Sequence, residues 1–198
     1  MSSPITTSPL PLHARLRDRL PEILIEAGSI VIAVLLAQAA AIWHEQQQQD
    51  QLASQARAAI ISEIRANEAE LDKLRAGMKK SIPGLATMAQ DTAATNANLH
   101  FDMSVALLSE SAWHAALDTG AVQHVDFAWT MKVAKVYELQ ELVMHAQSSV
   151  LDQVAAMSDS DNELPHVIAS RILSRENSLA DLADGLDTGY REALADKH

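Results

Sequence analysis

The sequence predicts an all-α protein in which an N-terminal transmembrane helix continues into an exported antiparallel helical bundle. Three observations carry this. The 198 residues include 34 Ala and 24 Leu against 6 Gly and 6 Pro, which favours helices and leaves little turn material for a sandwich or barrel. Ile23 to Trp43 reads ILIEAGSIVIAVLLAQAAAIW, an apolar run of membrane-spanning length. Elsewhere apolar residues recur at three- and four-residue spacing, with no sustained alternation of period two.

Residues 1–21 form the first region. MSSPITTSPLP is rich in Ser, Thr and Pro and is expected to be disordered. Leu12, Leu16 and Leu20 then alternate with Arg15, Arg17 and Arg19, a short amphipathic helix or simply a basic stop before a membrane span. The span itself, residues 22–43, would be about 31 Å long from Ile23 to Trp43, matching a hydrocarbon layer of roughly 30 Å. Its ten Ile, Leu and Val residues contribute about −3 to −6 kcal/mol of insertion free energy. Glu26 lies one turn inside the span, where it can reach headgroups or take up a proton. Trp43 stands where an interfacial aromatic anchor belongs. A cleaved signal peptide competes with this reading, because Ala37-Gln38-Ala39 offers a small-residue cleavage site. Against it stand the long stretch before Glu22 and the carboxylates Glu22 and Glu26 at the start of the apolar core.

Three Arg and one Asp precede the span, and no Lys or Arg follows it until Arg57. The positive-inside rule then places the N-terminus in the cytoplasm and residues 44–198 across the membrane, in a bacterium the periplasm next to the inner membrane. That exported part carries 12 basic against 23 acidic residues, a balance that argues against nucleic acid as a partner. The absence of Cys excludes disulfides, thiol catalysis and Cys-ligated metals.

Within residues 44–198, Leu52, Ala56, Ile60, Ile64, Asn67, Leu71, Leu74 and Met78 form one stripe near heptad spacing, on a helix expected to stop at Pro83-Gly84. A polar connection over 84–98 leads to a short helix from Met103 to Thr119, ended by Gly120. Asp126 can cap a helix from Phe127 to about Met157, whose expected stripe is Met131, Val136/Tyr137, Val143/Met144, Val150/Leu151 and Val154. After the loop SDSDNE, Pro165 opens a last helix with Ile168, Ile172, Leu179, Leu182, Leu186 and Ala193 facing inward.

Chemistry is sparsely signalled. His114 with Asp118 at i,i+4, and His124 with Asp126 beyond Gly120, are weak candidates for a divalent metal, without an HExxH or paired ExxH motif. Glu63/Asn67, Glu68/Asp72 and Glu138/Glu141 read as solvated helix faces. P-loop, nucleophile-elbow and dinucleotide motifs are missing, so neither an enzyme nor a cofactor is expected. Trp113, Phe127, Trp129 and Tyr137 fall within 25 residues of sequence; they are expected as core plugs, with a partner-binding patch as the alternative.

Residues 21–71 and 111–142 together resemble a family of uncharacterised single-pass bacterial envelope proteins with an exported helical domain. The resemblance rests on Trp43, Glu45, Glu63, Ile64, Asn67, Trp113, Ala116, Thr119, Gly120, Ala121, Tyr137 and Gln140. It implies a retained anchor and supplies no activity. The sequence thus leads to the expectation of a non-catalytic binding or scaffolding component of the envelope. Its partners would be the lipid bilayer and either another protein or a second copy, met through the helical stripes. The alternatives are a sensory or ligand-binding bundle that signals through a partner, and a secreted helical protein with a cleaved signal.

Overall fold

The computed structural model describes residues 12–93, 104–157 and 164–196, with side chains from Leu24 onward except that of Met157. The expectations for residues 1–11, for the Leu12, Leu16 and Leu20 face, for the Ile23 and Met103 side chains and for the SDSDNE loop lie outside the described residues. The described residues are almost wholly helical: α1 (Leu12–Gln90), α2 (Ser111–Asp118), a 3-10 turn (Ala121–His124), α3 (Phe127–Met157) and α4 (Pro165–Ala195). The chain divides into two compact units, residues 1–49 and 50–198.

The first unit holds the N-terminal part of α1. Its apolar window is long enough to cross a membrane, and none of that window is buried against protein. Leu24, Ile25, Ile30, Val31, Leu35, Leu36, Ile42 and Trp43 are all exposed. The Ser29 hydroxyl donates to the Glu26 carbonyl at 2.8 Å, which satisfies it within the helix.

The second unit is built on three seams of heptad spacing. On α1 the buried line is Ile60, Ile64, Asn67, Leu71, Leu74 and Met78. On α3 it is Trp129, Val133, Val136, Gln140, Val143, Gln147 and Val150, and on α4 it is Ile172, Glu176, Leu179, Ala183, Leu186, Tyr190 and Ala193. Steps of four and three keep such a line facing its partners along the whole helix. Hydrogen-bond partners fix the directions. Arg75 meets Asp184 and Ser81 meets Glu176, so α4 runs against α1. Trp129 meets Ala193 and Gln140 meets Tyr190, so α4 also runs against α3. Glu63 meets Tyr137 and Asn67 meets Gln140, so α1 and α3 run the same way.

Three expectations about elements need correction. First, α1 passes through Pro83-Gly84 and ends at Gln90. A proline inside a helix costs about 3 kcal/mol. Burying Leu85 against Ile168, Ala169 and Ile172, with Met88 and Ala89 alongside, offsets it at about 1.5–3 kcal/mol per large side chain. Second, the helix expected from Met103 begins only at Ser111, and residues 104–110 form an irregular strap. Gln147 takes both the N–H and the carbonyl of Ala106, at 2.8 and 3.2 Å, and Asn67 takes both of Ser109, at 2.9 and 2.7 Å. Each carboxamide stands in for a peptide group, so the strap needs no helical ladder. Third, the α3 seam keeps the expected Val136, Tyr137, Val143 and Val150 but shifts at the other positions: Met131 is 54% exposed, Met144 and Leu151 are also exposed, and Trp129 and Val133 are buried instead.

Other ends follow expectation. The Asp126 carboxylate accepts from the Trp129 N–H at 2.8 Å and caps α3, Pro165 opens α4, and Gly120 turns the chain at φ 71°.

Candidate functional site

The strap and α2 run back along α1 and α3, and their contacts build a polar spine through the apolar core. Ser104 lies against Gly77, Ser109 against Asn67 and Ala112 against Glu63, one rung after another. Asn67 Nδ2 donates to Gln140 Oε1 at 2.9 Å, and the Tyr190 hydroxyl donates to the same oxygen at 2.6 Å. Gln140 Nε2 donates back to the Ser109 carbonyl at 3.0 Å. Asn67 and Gln140 are buried, at 2% and 0% exposure. Every polar atom of the two carboxamides that these bonds use has a partner, which is the condition for a polar group to sit in a core at little cost.

Glu63 anchors the outer end of the spine. Its carboxylate accepts from the Tyr137 hydroxyl at 2.7 Å, the Ser109 hydroxyl at 2.7 Å and the Ala112 N–H at 2.9 Å. Burial would raise the Glu63 pKa, but the bonds from Ala112, Tyr137, Ser109 and Trp113 outweigh it and hold the group below the ordinary carboxylate value. Tyr137 moves the other way, because burial and the neighbouring Glu63 charge both disfavour a phenolate. Trp113 stacks on Tyr137 with ring centroids 5.5 Å apart and planes 10° from parallel. Trp129 is fully buried, donates to the Ala193 carbonyl at 3.2 Å, and has the Arg57 guanidinium 4.8 Å from its ring centre. Of the four aromatics expected as core plugs, Trp129 and Tyr137 are buried, Trp113 is half-buried, and Phe127 is 76% exposed. Phe127 opens α3 on the side away from the seam, so its placement corrects the core assignment.

The weak metal candidates are put to other uses. Exposed His114 faces Glu110 at 3.4 Å, and Asp118 is exposed near the end of α2. His124 and Asp126 line a shallow pocket of about 270 Å3 together with Arg57, whose positive charge opposes a second cation. Among the described residues no group of three His, Asp or Glu side chains is arranged to hold a metal ion.

The chain matches no family model, no curated protein and no solved structure. Its site must therefore be read from its own geometry. The spine collects Glu63, Asn67, Trp113, Tyr137 and Gln140, five residues singled out in the sequence, and adds Ser109 and Tyr190. Glu63 and Asn67 are not the solvated face expected of them: Asn67 is in the seam and Glu63 is half-buried, whereas Glu138 and Glu141 are exposed as expected. Gln140, Gln147, Glu176 and Tyr190 continue the four-and-three step of their helices, a signal that an apolar-only pattern passes over. The oxygens and amides of the spine hold backbone and one another, an arrangement suited to setting the register of the strap and three helices.

Proposed function

We propose that the protein is a single-pass, membrane-anchored scaffold of the bacterial cell envelope, with residues 1–21 in the cytoplasm and residues 44–198 exported as a rigid, non-catalytic helical module. The observation that carries this reading is the uncovered apolar run from Leu24 to Trp43. A contiguous apolar surface of that size is not left to water, and a helix of this length fits a bilayer. The direction of insertion comes from Arg15, Arg17 and Arg19 on one side and an Arg- and Lys-free stretch on the other. The scaffolding role is supported by a spine whose polar groups are committed to holding the fold, and by the resemblance to single-pass envelope proteins. Partners would meet exposed apolar residues of the exported module, among which Phe127 and Met131 share one face of α3.

An alkaline phosphatase fusion at His198 tests topology, and a carbonate wash of membranes tests the anchor. Activity of the fusion and retention in the washed membrane are the expected results. An inactive fusion overturns the orientation. Release by carbonate replaces the anchor with a cleaved signal.

A further inference from the structure

We propose that Glu176 and Ser81 form a proton-operated latch that closes or frees the far end of the second unit, α1 residues 82–90 with α4 residues 165–175. The buried apolar residues of this unit do not make one core. A main cluster reaches up to Met78 and Leu179, and a separate small cluster holds Leu85, Ile168, Ala169 and Ile172. Ser81 lies between Met78 and Leu85 on α1, and Glu176 lies between Ile172 and Leu179 on α4. The break in the core is therefore filled by a carboxyl group and a hydroxyl. Glu176 is 3% exposed, and its Oε2 accepts a hydrogen bond from Ser81 Oγ at 2.9 Å.

Among the described residues no cation pairs with this carboxyl. On α1 the neighbouring Lys79 and Lys80 are exposed. On α3 the nearest titratable groups in sequence to this level, His145 and Asp152, are exposed too. On α4 Arg175 bonds Ser149, and Asp181 is exposed. The strap residues 104–108 carry no titratable side chain. Two residues beyond Ser81, Pro83 supplies no N–H to the Lys79 carbonyl, so the α1 ladder is weakest where the latch sits.

The direction of the switch follows. Burial raises the Glu176 pKa and only the Ser81 hydroxyl opposes it, so the closed state binds the proton more tightly than the open, solvated one. Closure is fully favoured below the ordinary Glu range of about 4.3 and weakens as pH rises through the closed-state value, levelling off above it. Each unit between the two states changes the closed-to-open ratio about tenfold. Opening would uncover Leu85, Ile168 and Ile172, while the main cluster stays shut apart from Ile82 at its edge.

Hydrogen exchange by mass spectrometry on the full chain in detergent micelles, corrected for intrinsic rates, tests this. Between about pH 5 and about pH 8, protection of segments 82–90 and 165–175 is expected to fall about tenfold, while 60–74 and 179–190 hold. Glu176→Gln keeps the shape and removes the titration, so its far end stays protected throughout. Ser81→Ala removes the one donor to the ionised carboxylate and moves the fall to higher pH. An unchanged pH dependence in Glu176→Gln, a fall shared equally by both clusters, or a shift to lower pH in Ser81→Ala overturns the proposal.

Discussion

Truncating Asn67 tests whether the polar spine holds the exported module together. Asn67→Ala removes three hydrogen bonds: two donated by Nδ2 to the Ser109 carbonyl and Gln140, and one accepted from the Ser109 N–H. Two of the abandoned groups keep another partner, since Gln140 still serves the Ser109 carbonyl and Tyr190 still serves Gln140 Oε1. The Ser109 N–H is left without one. That N–H is only part-buried, so orphaning it costs about 1–2 kcal/mol, the lower part of the range for a buried group, and each of the other two lost bonds costs about 0.5–1.5 kcal/mol. Alanine's better helix propensity returns a few tenths, about 0.5 kcal/mol at most. The expected loss is about 3 kcal/mol, a large part of a typical domain's stability. Urea denaturation of the full chain in detergent, followed by helical ellipticity, measures it. Asn177→Ala, at an exposed position of α4, is the control and should be neutral or slightly stabilising. If Asn67→Ala stays within about 0.5 kcal/mol of the parent, the spine does not hold the strap and the reasoning fails.

Four further outcomes are accessible to the same melts. Trp129→Ala should cost about 3–5 kcal/mol as a fully buried aromatic, and half-buried Trp113→Ala clearly less; a Trp113 variant that is stable yet loses a pulled-down partner would make Trp113 a binding anchor. Gly120→Ala should cost roughly 1 kcal/mol through its φ of 71°, since the added Cβ would meet only Gln123 Nε2 at 3.9 Å. Gly185→Ala, with open space around it, should stabilise by about 0.5–1 kcal/mol, whereas Gly77→Ala should not, because its Cβ would overlap the Ser104 side chain and push the strap away. Glu63, held below its ordinary value, contributes stability that is present above about pH 4.5 and lost as pH falls through the folded-state value; Glu63→Gln should flatten that acid limb in stability measured against pH.

Helix content and helix ends were largely legible because their causes are local. Asp126, Gly120 and Pro165 act within one turn, and each does in the fold what its residue type allows. The α1 seam was legible from Ile60 to Met78 because its one polar member, Asn67, was kept in the pattern, whereas Leu52, expected on the same stripe, is exposed. On α3 the pattern found Val136, Tyr137, Val143 and Val150, which are buried, but took in exposed Met131, Met144 and Leu151 and skipped Gln140 and Gln147, so the buried line was only half drawn. The strap was not legible at all. Val105, Ala106, Leu107 and Leu108 read as helix, and what overrides them is a pair of carboxamides from 40 or so residues away in sequence, Asn67 and Gln147, binding both backbone groups of Ser109 and Ala106. The spine was legible as a set of residues and illegible as a site, because nothing local tells that Glu63 and Asn67 face a strap rather than water.

The order in which the chain is made bears on the bond between Arg57 and the Asp196 carbonyl, whose partners are 139 residues apart. At a synthesis rate of about 5–20 residues per second, Arg57 waits roughly 7–28 s for that partner. For part of this interval, after Gln90 and before Phe127, α1 has been made while α3 and α4, which cover Ile60 to Met78, have not. A ribosome stalled before α3 would leave that seam bare, open to proteases and to the seams of other nascent chains. Slow synthesis of the segments after α1, α3 most of all, should therefore lower the yield of this protein more than slow synthesis of α1 itself.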